Sequence, residues 1–339
     1  MKKPPRLEAN IGSDLMSRAG NYKGSNRQQL SGDPVARNQN METIDQSAGI
    51  HFALVTTLDE RLRSFMERVE KCGRKPTEKA IHDLRVATRR LLALLDLLGS
   101  VIPNGKRAKV RKQLKSLLDT LSALRDLQVQ IILVRGLIEK HPTLTGYLGK
   151  LISTEAAIGR RAVKAIARFD TAEIETHLVQ TRVNLGKLLD EPLMEGVFMT
   201  ILRGLLAELF FKVMNLHNEI VSGSAGDISK IHDLRVAFKN FRYTAEIMQP
   251  LVPAISKKQL KSMGEFQAKM GEIQDLDVLI SGVSGYAKHA RKKSGRTAGV
   301  LADPFNDVVA DLTNRQNDRV KLFLESRIGI KDYLRYFNS

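Results

Sequence analysis

Ile81-His82-Asp83-Leu84-Arg85-Val86-Ala87 and Ile231-His232-Asp233-Leu234-Arg235-Val236-Ala237 are the same seven residues, written twice in one chain. On a wheel of ~100° per residue, the second copy and its continuation put His232, Arg235, Lys239, Arg242 and Tyr243 on one face. Leu234, Ala237, Phe238, Phe241, Ala245 and Met248 fall opposite. In the first copy His82, Arg85 and Arg89 share a face, with Arg90 at its margin, against Leu84, Ala87, Leu91, Leu95 and Leu98. An apolar face opposed to a narrow cationic stripe specifies an amphipathic helix in each copy.

The match extends beyond the seven residues. Each copy follows a helical segment that ends in a loop, and each precedes a turn broken by Pro103 or by Pro250 and Pro253. Then comes a basic helix carrying the same five residues, Lys112–Ser116 and Lys258–Ser262. An Asp-Leu pair, Asp126-Leu127 and Asp275-Leu276, stands at nearly the same distance from its His in each half. Ordered matches of this kind indicate duplication of a helical unit roughly 150 residues long. The halves are expected at about 47–190 and 197–339.

Apolar residues recur at helical spacing from His51 onward. Helices are expected over Phe52–Cys72, Glu78–Leu98, Lys106–Lys140, Leu144–Phe169, Thr171–Leu189, Met199–Val221, Asp227–Met248 and Ser256–Val283, and in pieces to the C-terminus. The punctuation falls at Gly73 and Pro76, Pro103-Asn104-Gly105, His141-Pro142, Glu191-Pro192, Ser222–Gly226, Pro250 and Pro253. Met1–Gln46 is rich in Gly, Ser, Asn, Gln and Pro and is expected as a disordered tail. The fold class expected is all-α.

Hydrophobic residues make up 42% of the chain and aromatics 5%, with no Trp, which favours helix over stacked strands. Fifty-four basic residues face 37 acidic ones, a formal charge of +17. Charge of that size attracts polyanions: nucleic acid, anionic membrane or polyphosphate. Cys72 is alone, so no internal disulfide forms, and a reducing compartment fits. Met1–Arg6 is not followed by an apolar run, and Leu91–Pro103 is too short to span a bilayer. A cytoplasmic protein without a membrane partner is expected.

Like charges one turn apart on a helix repel, at a few tenths of a kcal/mol per pair. The nearby acids, Asp83 and Asp233, sit off the stripes, so neutralising groups are expected from outside. Guanidinium matches phosphate through two parallel hydrogen bonds, and Lys acts as a point charge. Each His heads its stripe as either a phosphate contact or a hydrogen-bond partner that orients a neighbour. Tyr243 either packs or donates its hydroxyl. Asp126 and Asp275 read as internal partners for Arg or His.

These residues resemble the CHAD domain, the conserved histidine α-helical domain, over about His51 to the C-terminus. The resemblance implies two four-helix bundles related by a pseudo-twofold, with a basic groove between them that binds inorganic polyphosphate. It places the ligand-facing residues at His82, Arg85, Arg89 and Arg90 in the first half and at His232, Arg235, Lys239, Arg242 and Tyr243 in the second. Lys115 matches a helix-borne lysine of the family, and Lys112, Lys258 and Lys261 form a second tier. Leu92 and Asn240 stand where the motif carries bases. Gly264 takes the place equivalent to Lys115, with Lys261 one turn earlier. The implied partners are polyphosphate and the enzymes or granules that carry it, with no cofactor, no metal and no catalytic residue.

Two other readings compete. His82-Asp83 and His232-Asp233 resemble the dipeptide of HD metal phosphohydrolases. Adjacent helical residues point ~100° apart, however, and that chemistry needs further converging His ligands from a chain that has seven. A nucleic-acid binder would share the phosphate contacts, but only Tyr243 on the stripe offers a ring for base stacking.

Overall fold

The computed structural model describes residues 34–102, 107–191, 193–223, 227–293, 304–326 and 333. By its contacts the chain divides into Met1–Asp45 and Gln46–Ser339. Helix α1 is Pro34–Arg74, opening earlier than the Phe52 expected from apolar spacing. Of the tail expected at 1–46, residues 1–33 lie outside the described residues, as do Pro103-Asn104-Gly105, Pro192, Ser224, Ala225 and Gly226 of the expected turns.

The remaining helices are α2 (Glu78–Leu98), α3 (Arg107–Arg135), α4 (Thr145–Ala167), α5 (Thr171–Leu189), α6 (Met194–Ser222), α7 (Ile228–Met248), α8 (Lys257–Lys293) and α9 (Asn306–Glu325). Among the described residues there is no strand, and the fold is all-α. The starts of the two motif helices are fixed by side-chain caps. Thr77 Oγ1 accepts from Ala80 N at 3.2 Å ahead of α2. Asp227 Oδ1 accepts from Ser229 N at 2.9 Å and Ser229 Oγ at 2.6 Å ahead of α7. Such caps satisfy N–H groups that the first helical turn leaves without partners.

Helix α2 packs on α3 and α3 on α4; α7 packs on α8 and α8 on α9. Helix α6 covers α7, and α2 and α7 meet each other. One core gathers Leu84, Leu91 and Leu95 of α2 with Leu234, Phe238 and Phe241 of α7, all buried. It is aliphatic around α2 and aromatic around α7, where Phe238 meets Phe266 edge-on at 4.8 Å between centroids. Each such side chain contributes roughly 1.5–3 kcal/mol on burial.

A second cluster joins the α3–α4 turn to α8 and α9 through Val134, Leu144, Leu279, Val283, Val308 and Leu312. Tyr147 of α4 and Tyr286 of α8 meet there at 5.4 Å between centroids. Each lies over a glycine of the other's helix. A Cβ on Gly282 would stand 2.1 Å from the Tyr147 hydroxyl oxygen, and one on Gly146 would stand 2.6 Å from that of Tyr286. These glycines are the gaps into which the two rings fit.

The observed bounds of α2 and α5 are those expected. Helix α3 stops at Arg135 instead of Lys140, where the backbone tightens into turns from Gly136 to His141. Helix α8 runs on to Lys293, ten residues past the Val283 expected, and within it Gly282 packs against Tyr147 of α4. The C-terminal pieces resolve into α9 and a single described residue, Tyr333, whose ring packs on Phe241 at 5.8 Å.

Candidate functional site

The cationic stripes of α2 and α7 converge where the two helices meet. Arg85 and Arg89 of α2 and Arg235 and Lys239 of α7 lie near enough to repel one another. Helical spacing lines up the residues within each helix, and the α2–α7 contact brings the two rows together. Arg85, Arg89, Arg235 and Lys239 are all half-buried.

That crowding leaves a mark on protonation. Burial, then the Arg89 charge, pushes the Arg85 guanidinium down to about 10, and the same two causes lower Arg235. Burial, then Arg89, Arg235 and Arg85, push the Lys239 ammonium down to about 8. Both aspartates expected as internal partners stand within electrostatic reach: Asp126 favours the charged forms of Arg85 and Arg235, and Asp275 favours that of Arg235. Asp275 itself is raised, chiefly by its burial.

Beside this group lies a feature the sequence reading lacked. Glu246, on α7 with its side chain 9% exposed, takes three arginines at once. Arg242 Nη2 donates to Oε1 at 2.9 Å, Arg90 Nε donates to Oε2 at 3.0 Å, and Arg61 Nη2 of α1 stands 3.6 Å from Oε2. The expectation that the stripes have no acidic partner is therefore corrected for Arg90 and Arg242. Glu246 is four residues after Arg242, the spacing at which helical side chains pair. Arg61 could not be found from the motif, since it stands on α1 outside the repeated helix.

Even so, charge is far from balanced. Among the described residues Arg61, Arg85, Arg89, Arg90, Arg235, Lys239 and Arg242 gather around Glu246, Asp126 and Asp275, with Glu60 in reach of Arg61. Among the described residues no acceptor takes the buried Nε–H of Arg85, Arg235 or Arg242. A buried donor without an acceptor costs on the order of 1–3 kcal/mol. The cluster thus holds more cationic donors than it has acceptors for.

The other residues fall into place around it. His232 heads α7 with Nδ1 hydrogen-bonded to Gln274 Oε1 of α8. His82 is exposed, and its imidazolium is disfavoured by burial and then by Arg125 and Arg85. Tyr243 is 7% exposed and lies under the Arg242 guanidinium, 5.6 Å from its ring centroid. Gly264 of α8 backs that guanidinium, so a Cβ there would rest 3.8 Å from Arg242 Cζ. Lys115, Lys258 and Lys261 are exposed on α3 and α8, with Glu265 at 4.0 Å from Lys261. Lys112 lines a separate hollow against Lys109, Arg168 and Asp170, so the structure does not bring it to the cluster.

Among the described residues no three His, Cys, Asp or Glu side chains stand together as metal ligands, and no helix is long and apolar enough to cross a membrane.

A family model described as the CHAD domain matches residues 56–281. The crystal structure of the CHAD domain from the plant Ricinus communis is similar in fold, at 16% identity and a TM-score of 0.58, covering 85% of this chain and 91% of that one. PptA from Streptomyces chartreusis aligns at 14% identity and a TM-score of 0.48, covering 85% of this chain and 99% of that one. No curated protein matches in sequence.

Proposed function

Because the chain belongs to the CHAD domain family, we propose that the α2–α7 cation cluster binds inorganic polyphosphate and holds it without cleaving it. The family is associated with polyphosphate. The observation that carries the reading is the excess of half-buried cations over carboxylates where α2 meets α7. A chain of phosphates offers closely spaced anionic oxygens and nothing else, and the cluster asks for nothing else. The matching contacts of α2 with α3 and of α7 with α8 support reading the fold as two related halves that share this site. On that reading a basic groove runs along their seam, His82 and His232 flank it, and Lys115 extends it. The partners are the polymer and the enzymes or granules that carry it.

Nucleic acid supplies phosphate too, but binding a single strand without sequence readout gains much of its strength from stacking on open aromatic rings. Tyr243 has its face covered by Arg242 and is 7% exposed.

The test is competition. Labelled long-chain polyphosphate is bound to the full chain and challenged with equal phosphate equivalents of unlabelled polyphosphate, single-stranded DNA or RNA. Polyphosphate should displace it most effectively, and stronger displacement by nucleic acid overturns the assignment. Release of inorganic phosphate from the polymer on addition of Mg²⁺ or Mn²⁺ would overturn the non-catalytic part.

A further inference from the structure

We propose that the hollow between α3 and α4 binds a primary ammonium with an apolar tail, an alkyl or arylalkyl amine in its protonated form. The site is separate from the cationic seam, and the inference does not depend on what the seam binds.

The hollow has a volume of about 480 Å³, a size that suits a small molecule. Its apolar end is formed by Pro76 of the α1–α2 turn, Ile81 of α2 and Ile166 near the end of α4. Ile166 reaches α1 there, since a Cβ on Gly73 would stand 3.8 Å from its Cγ2. The polar end lies ~16 Å back along the axis of α4, by the rise of a helix between Ile166 and Glu155. At that end Gln128 Nε2 of α3 donates to Glu155 Oε1 at 3.5 Å. The hollow is therefore long, and its two ends differ in chemistry.

The polar end offers acceptors. Glu155 is half-buried, and among the described residues its carboxylate has that long bond from Gln128 and no cation paired with it. Gln128 is 8% exposed, and among the described residues no donor reaches its Oε1. A carboxylate beside an amide oxygen calls for a cation that brings N–H groups, and an ammonium has three of them and no acceptor. Gly159 leaves the middle of the hollow open. It stands inside α4 one turn after Glu155, where glycine is disfavoured against alanine. A Cβ there would meet nothing within 4 Å, so no neighbour requires the glycine and a ligand's tail has room over it. Arg160 and Lys164 stand at the rim and are exposed. Water and salt screen their charges, so an anionic head gains less from them than an ammonium gains at Glu155.

The experiment adds hexylammonium chloride, hexanol or sodium hexanoate to the full chain at pH 7 and follows binding by saturation-transfer NMR titration. Hexylammonium should bind about tenfold more tightly than hexanol, the contribution of a charge-assisted hydrogen bond, and hexanoate more weakly than either. Glu155→Gln should bring hexylammonium down to the level of hexanol. Gly159→Leu should fill the hollow and abolish binding of the amine at unchanged circular dichroism, whereas Gly159→Ala should keep it. If G159L does not fold, E155Q still decides. The proposal is wrong if hexylammonium does not bind, binds no more tightly than hexanol or hexanoate, or binds E155Q as it binds the wild type. A folded G159L chain that binds the amine as the wild type does would equally overturn it.

Discussion

Three guanidiniums share one carboxylate at Glu246, so a change at that residue reaches all three. Arg61, Arg90 and Arg242 are held together by its charge. Replacing Glu246 with Gln keeps the shape and removes the charge. Breaking a buried pair commonly costs 3–5 kcal/mol, and with the arginines partly open to water we expect a loss of about 2 kcal/mol. Tripolyphosphate should then raise the melting temperature of E246Q more than that of the wild type. An unchanged melting temperature in the absence of anion would show that Glu246 bears no such strain. Lys239 makes a second residue-level prediction, now in pH. Its folded value of about 8 lies below its ordinary 10.5, so between those limits the folded chain has shed a proton that the unfolded chain keeps. Stability should therefore rise with pH across that window. Polyanion affinity should move the other way, falling by up to about tenfold from pH 8 to pH 9 as the ammonium is lost. Lys239→Arg should flatten that fall in a titration series. A wild-type affinity that stays level over the same range would contradict the assignment. The cations on the repeated motif were legible in the sequence because a wheel places them. Their acid was not sought four residues on from Arg242, and Arg61 needed the packing of α1.

Among the helices, the apolar spacing around the repeated heptapeptide placed α2 and α7 from sequence, and the caps at Thr77 and Asp227 came with the structure. Helix α8 continues past the expected end at Val283. A glycine inside a helix costs about 1 kcal/mol against alanine. Gly282 is retained inside α8 because the Tyr147 ring occupies the space a side chain would need. Substituting it tests this directly. On propensity alone Gly282→Ala would stabilise α8, whereas overpacking against Tyr147 typically costs 1–3 kcal/mol, so we expect a net loss of about 1 kcal/mol. Adding Tyr147→Phe to G282A removes the clashing oxygen and should recover part of that loss in a urea titration. A G282A protein more stable than wild type would mean that the ring moves aside freely.

Taken whole, the chain carries a formal charge of +17, and part of it is collected at one seam between two helices of the same sequence motif. Binding that depends on such a cluster is salt-sensitive: each cation removed should flatten the plot of log affinity against log salt by about 1. The all-α class and the site helices could be read from the sequence alone. The hold of Glu246 on Arg61 and Arg90 and the glycine-and-tyrosine fit between α4 and α8 could not, because both depend on contacts between residues far apart in the chain. The most direct measurement is calorimetry of long-chain polyphosphate with the wild type and with the double variant Arg85→Glu, Arg235→Glu, alongside circular dichroism. We predict salt-sensitive binding by the wild type and none by the variant at unchanged helical content. A fully helical double variant that binds as the wild type does would contradict the assignment of the site.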